Sequence, residues 1–362
     1  MSATRRSGSA MAWRDAQAAP FRELAHAQAP APRCGGSSER RGHRSWNVFG
    51  FRHGVGVVTG GLLGPALALL VPLALMWDFA KAPTAHDRLS AGVASLDVLG
   101  PRRRPEMATV FVTGSSAGIG LGTADALVKQ GHRVVAHARD KARAAETGEA
   151  LPGVEAVLVG DLASIEETRA LAEDANEHGP FDAVVHNAGV GGRSRREVTV
   201  DDLEEIFQVN VLAPYVLTAL MARPKRLVYL TSGLHLSARG DLSDLQHDKR
   251  HWEGMQAYSD SKLWDVMLAF AIARRWRGTL SNAVDPGWIK TKMGGPGAPD
   301  PVELGADTPA WLATSGAPEA LVTGRFFRRR RDLPANPAAY DPALQDDLIE
   351  ACRSLSGVPL LG

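Results

Sequence analysis

The feature that most constrains this chain is a repeated alternation of short β-branched runs with helix-length segments, beginning just after Met107. Residues 109–113 (TVFVT) form the first run, and a glycine-rich turn leads from it into an apolar-periodic stretch over 119–130 that Gly131 ends. Further strand-like runs follow at 133–137, 155–159, 182–186, 226–231 and 280–284, with a short seventh at 325–327. Helical patterns lie at 165–178, 200–221 and 257–276. Strands joined through helices pair in parallel by right-handed crossovers, and the helices then cover both faces of the sheet. Uninterrupted runs of Val, Ile and Leu suit strands buried on both sides. The predicted fold is an α/β, doubly wound parallel sheet over residues 107–362, with no internal repeat.

Residues 1–106 read differently. They carry 14 Lys and Arg against 7 Asp and Glu, a net of +7, while 107–362 carry 27 against 33, a net of −6. The first fifty residues are rich in Arg, Ala, Ser and Pro and show no sustained period, so they read as largely disordered. Residues 54–77 form an uncharged run of bilayer length, interrupted by five glycines, Pro65 and Pro72. Three readings stay open: a single membrane anchor, an apolar segment packed on the protein, and a poorly structured extension ahead of a natural start near Met107. The run lies too deep for a cleaved signal peptide, and arginines on both sides give no orientation. The segment PRRRP at 101–105 marks the boundary.

The turn itself, Thr113-Gly-Ser-Ser-Ala-Gly-Ile-Gly120, has the form of a phosphate cradle. Glycine at 114 allows a tight turn, Gly118 leaves room for a pyrophosphate against the backbone, and Gly120 allows close helix–sheet packing. Free N–H groups at the helix start then face an anion. A dinucleotide is the expected ligand, held by Gly114, Ser115, Ser116, Gly118, Ile119 and Gly120.

Five further motifs follow in order: Asn187-Ala188-Gly189 after the fourth strand, Asn210 within the next helix, Ser232 ending the fifth strand, Tyr258-Ser-Asp-Ser-Lys262 on a helix, and Pro286-Gly287 after the sixth strand. With the glycine turn they make residues 107–362 resemble the short-chain dehydrogenase/reductase family, whose fold is of the Rossmann type. His186 stands where the family usually has a first Asn. The stretch between Ser232 and Tyr258 is longer than in compact members. The insert at 234–256 looks like that of retinol-dehydrogenase-like and WW-domain-oxidoreductase-like members; it would cover the substrate pocket or else form a surface excursion.

Tyr258 and Lys262 are four residues apart and share one helix face. An ammonium beside a phenol favours the phenolate, so Lys262 is expected to lower the tyrosine's pKa and fit it for acid–base work. The resemblance implies that Lys262 also holds the nicotinamide ribose, that Ser232 bonds the substrate oxygen, and that Asn210 supports a proton relay. It also implies cofactor contacts from Asp161 and Leu162 near the adenine, from Asn187, Ala188 and Gly189, from Pro286 and Gly287, and from Thr291 at the carboxamide. Asp161 alternatively caps the following helix. Beyond the second strand, Arg139 suits a 2′-phosphate, which favours NADP(H) over NAD(H), although Asp140 beside it weakens the inference.

The resemblance implies that residues 288–301, rich in Gly and Pro, form a mobile lid over cofactor and substrate. Arg328–Arg331 read as a solvated strand end. Cys34 and Cys352 cannot build a disulfide framework, the histidines lack a metal-ligand pattern, and a net charge of +1 excludes nucleic-acid binding through bulk charge. The expected partner is a small-molecule carbonyl or alcohol. The catalytic domain is expected in the cytoplasm, with membrane contact only through 54–77, and a homo-oligomer is in keeping with the family. The main expectation is a hydride-transferring oxidoreductase. A non-catalytic NADP(H)-binding regulator and a membrane-tethered reductase are the alternatives.

Overall fold

Strand β1 (Thr109–Val112) is buried along its whole length and pairs in parallel with β2 (Arg133–Ala138) on one side and β4 (Ala183–His186) on the other. The computed structural model describes residues 107–361. The expectations for residues 1–106, including the apolar run at 54–77, fall outside the described residues. Strands β3 (Ala156–Val159), β5 (Arg226–Leu230), β6 (Leu280–Val284), β7 (Phe326–Arg328) and β8 (Arg331–Leu333) complete one sheet. Its order is β3-β2-β1-β4-β5-β6-β7-β8, parallel except for the final β7–β8 hairpin. The doubly wound sheet read from the sequence is therefore the fold observed.

Period-2 alternation sends neighbouring side chains of a strand to opposite faces. Phe111 and Val135 join the larger core, with Leu171, Val216 and Trp264. Val110, Val112, Val134 and Ala136 join the smaller, with Leu127, Ala310 and Leu312. The helices covering the first face are α3 (Ile165–His178), α4 (205–220), α5 (Gly254–Arg275) and α7 (Pro342–Ser356); α1 (Gly118–Lys129) and α6 (Val302–Thr314) cover the second. Helix α4 runs through Glu205–Phe207, a π-helical turn Gln208–Leu212, and Ala213–Leu220. It starts five residues later than the pattern predicts, where the Glu204 carboxylate accepts from the amides of Ile206 and Phe207.

Helices α2 (Lys141–Ala150), α6 and α7 lie where the sequence pattern assigned no element. Helix α2 buries only Thr147, so it has no apolar stripe to read, and the Asp140 carboxylate caps it by accepting from the Arg143 amide at 2.8 Å. Helix α6 packs on α1 through small residues. A Cβ at Gly122 would meet Val302 Cγ1 at 2.6 Å and Ala306 Cβ at 3.3 Å. Among the described residues, no helix is long and apolar enough to cross a membrane.

Candidate active site

Chain connections leave β1 and β4 toward opposite sides of the sheet, which opens a crevice beyond their carboxyl ends. The glycine turn and the Asn187-Ala188-Gly189 loop meet there. Gly114 has φ +64° and lies so close to the second loop that a Cβ would sit 2.8 Å from Ala188 Cα. Gly118 has φ +58°, and its Cβ would sit 3.0 Å from Thr291 Cγ2. At Gly120 the added atom would fall 2.2 Å from Asn187 Nδ2 and 2.4 Å from the Gly114 carbonyl. The demand at 120 thus comes from the first turn of α1 packing on two loops, not from helix–sheet packing as expected. Asn187 Nδ2 donates to the carbonyls of Thr113 (2.8 Å) and Gly114 (3.1 Å), and Thr113 Oγ1 accepts from the Asn187 and Ala188 amides.

A cavity of about 620 Å³ runs along this crevice. Of the predicted cofactor residues, Gly114, Ser116, Gly118, Ile119, Gly120, Arg139, Asp161, Leu162, Asn187, Ala188, Gly189, Tyr258, Lys262, Pro286 and Thr291 line it. Ser115 does not. Its hydroxyl turns inward, donates to the Val112 carbonyl and accepts from the His137 amide, tying the turn to β2. Gly287 also stays behind the wall, with its amide donated to Asp285 at 2.9 Å. Asp161 lines the cavity, while the helix after it is capped by Ser164, whose hydroxyl accepts from the Glu167 amide.

Arg139 and Arg143 share one end of the cavity. Asp140 caps α2 and faces both arginines, and it does not line the cavity. The sequence reading missed Arg143, which lies one helical turn inside an unassigned helix. It also missed His137, which accepts from the Gly114 amide and reaches the Gly160 carbonyl. Burial keeps that imidazole's pKa below the usual histidine range.

At the other end, β5 delivers Ser232 and α5 delivers Tyr258 and Lys262. The Ser232 side chain stands near enough to the Tyr258 hydroxyl to favour its ionised form, and the Ser232 hydroxyl accepts from the Leu234 amide at 3.3 Å. Lys262 Nζ lies 5.7 Å from the Tyr258 ring centroid, donates to the Leu230 carbonyl at 3.0 Å, and reaches Asp265 at 2.8 Å. The expected net lowering of the tyrosine pKa is not what this environment produces. Burial raises it above the ordinary phenol value; Lys262 and Ser232 pull it down, and Asp265 and Asp285 push it up. Asn210 sits in the π-helical turn of α4. Its Oδ1 accepts from the Val190 amide at 2.8 Å, and its Nδ2 donates to the Val190 carbonyl and to Ser261 Oγ. Ser232 and Asn210 are both buried.

The insert at 234–256 does not line this cavity. It is packed down instead. Arg250 pairs with the buried Asp244, the Gln246 carbonyl accepts from Arg196, and Trp252 Nε1 donates to the Arg193 carbonyl. The arginines at 328–330 are likewise not a merely solvated strand end. Arg328 faces buried Asp285, Arg329 pairs with Asp300 in the 288–301 loop at 2.9 Å, and Arg330 pairs with Asp307 of α6.

A family model described as short chain dehydrogenase matches residues 108–233. An uncharacterized oxidoreductase of Emericella nidulans is 45% identical over 263 residues, covering 71% of this chain and all of that protein. A protein named short-chain dehydrogenase chyC, from Penicillium rubens, is 40% identical over 258 residues, covering 70% of this chain and 99% of its own length. Among solved structures, a blue fluorescent protein from a metagenomic library, in complex with NADPH, is 26% identical with a TM-score of 0.50, covering 61% of this chain and 95% of that one. Sheet order, crevice and relatives agree, and the chain belongs to the short-chain dehydrogenase/reductase family of oxidoreductases.

Proposed function

We propose that this protein is an NADP(H)-dependent oxidoreductase that interconverts a carbonyl and an alcohol on a small molecule, with Tyr258 as the proton donor and acceptor. The observation that carries this reading is that Tyr258, with Lys262 Nζ 5.7 Å from its ring, lines the same cavity as the glycine turn, Arg139 and Arg143. The family model matches 108–233, and the relatives match about 70% of this chain over nearly their full lengths, which supports reading 107–362 as the oxidoreductase domain.

The cavity suits a dinucleotide. Gly114 and Gly118 hold left-handed conformations that L side chains rarely adopt, and the open loop beside them leaves backbone N–H groups for a pyrophosphate. Arg139 and Arg143 supply the charge a 2′-phosphate needs. Asp161 and Leu162 would flank the adenine, and Thr291 and Pro286 the nicotinamide. When bound, the nicotinamide supplies or accepts the hydride.

In reduction, the substrate carbonyl oxygen lies against the Ser232 and Tyr258 hydroxyls. Ser232 orients it by donating a hydrogen bond. Tyr258 gives up its proton as the carbonyl carbon gains the hydride, and an alcohol forms. Lys262, kept cationic by its neighbours, stabilises the phenolate left behind and would hold the ribose. Asn210 fixes the backbone at Val190 and places a polar side chain near Lys262 for proton return. Oxidation runs the same path backwards.

The test is NADPH consumption against a panel of ketones, aldehydes and quinones. Turnover on at least one class is expected. Tight NADPH binding with no turnover on any would contradict the reading and favour a non-catalytic cofactor-binding protein.

A further inference from the structure

The Lys262 ammonium has a neighbour that the chemistry above does not use. Asp265 lies one turn further along α5, and its Oδ2 is 2.8 Å from Lys262 Nζ. Both side chains are buried, at 5% and 4% exposure. Burying a carboxylate is costly, and a pair of this kind often contributes no more stability than apolar packing would. Its consequence here is electrostatic. The same Nζ that faces Tyr258 across 5.7 Å is held against a full negative charge on its other side.

We propose that Asp265 is a positioning residue that sets the direction of proton transfer: by pairing with Lys262 it offsets the ammonium's pull on Tyr258 and keeps the phenol protonated, ready to donate to a carbonyl. The inference rests on Tyr258 being the acid–base group.

Among the charged groups around Tyr258, this pair is the nearest opposed one. From β6, Asp285 also disfavours the phenolate, but Arg328 of β7 faces it at 3.5 Å. From β5, Tyr229 lies near Asp265; its hydroxyl bonds Thr218 of α4, which bonds His186 of β4. Burial holds His186 neutral, with its pKa pushed down to about 3. Ser232 and Asn210 are uncharged. Asp260, elsewhere on α5, is engaged with Gln256 and His247. Burial raises the Asp265 carboxyl to about 6 while Lys262 opposes the rise, so the pair is formed at neutral pH.

The test is Asp265→Asn, an isosteric change that keeps an oxygen for the Lys262 N–H while removing the charge. The readout is tyrosinate absorbance in the near ultraviolet over about pH 7–10, taken as the difference between each protein and its Tyr258→Phe counterpart. With the carboxylate gone, one of the charges opposing the ammonium's pull on Tyr258 is removed. At least about tenfold more Tyr258 phenolate than wild type is expected near pH 9, equivalent to one pKa unit. An unchanged phenolate fraction overturns the proposal.

Should Asp265→Asn not fold, as judged by circular dichroism, Asp265→Ser is titrated in the same way. More Tyr258 phenolate than wild type near about pH 9 supports the proposal, and an unchanged fraction overturns it. The titration needs no turnover. Failure of the acid–base reading would show separately, as turnover that survives in Tyr258→Phe.

Discussion

The Gly114 amide donates to Nδ1 of His137 at 2.9 Å, and Nε2 of the same ring lies 2.8 Å from the Gly160 carbonyl. One imidazole therefore joins the carboxyl ends of β1, β2 and β3. Accepting at Nδ1 places the proton on Nε2, which donates to Gly160. Burial favours that neutral ring by lowering its pKa.

This link makes the glycine turn dependent on a residue outside it. His137→Ala leaves the Gly114 amide without its partner, at a cost of about 1–3 kcal/mol. NADPH affinity is expected to fall about tenfold while the protein stays folded. Titration of NADPH fluorescence checks this, and a dissociation constant within about twofold of wild type would show that the turn holds itself.

Arg139 and Arg143 give a second prediction. They line the cavity together but sit at different depths, 62% and 34% exposed. Replacing both with alanine is expected to raise the KM for NADPH by about tenfold to a hundredfold, since charge-assisted contacts to a phosphate are lost. The KM for NADH should change little. An equal loss with both cofactors would place the 2′-phosphate elsewhere.

Burial of neutral histidines has a consequence for stability. His235 is fully buried, with Nδ1 2.7 Å from the Ser232 carbonyl and Nε2 accepting from the Asn336 amide at 3.3 Å. Its pKa falls from 6.5 to about 4. The folded state therefore resists a proton that the unfolded chain takes up below 6.5, so this contribution is complete above that pH and is lost as pH falls toward 4. Asp265, raised from 3.8 to about 6, works in the opposite sense between those values. His235→Gln removes one such group. It should lessen the drop in unfolding free energy between about pH 7 and pH 5 by about 2 kcal/mol. Urea midpoints at the two pH values measure it, and an unaltered pH dependence would mean that His235 titrates alike in both states.

Much of this was legible in the sequence because the decisive signals are local. A strand covered on both faces, as β1 is, favours β-branched and apolar side chains, so TVFVT declares itself. The glycine turn, Ser232 and the Tyr258–Lys262 spacing are fixed by neighbouring residues. What was not legible depends on distant partners. His137 takes its role from Gly114 and Gly160, each 23 residues away. Helix α2 carries no stripe, because it buries a single side chain. The Arg328–Arg331 run looked like surface until Asp285, Asp300 and Asp307 were brought to it by the fold. The direction of the Tyr258 shift was misread for a related reason. A helix face shows Lys262 beside the phenol, but not the burial that outweighs it.

The central claim is that Tyr258 carries the proton, and Tyr258→Phe tests it most directly. The phenyl ring keeps the cavity wall and removes only the hydroxyl. NADPH should bind within about twofold of wild type, while kcat on any carbonyl the wild type reduces should fall at least about a hundredfold, the usual weight of a general acid. Turnover retained within about tenfold, with cofactor binding intact, would contradict the account.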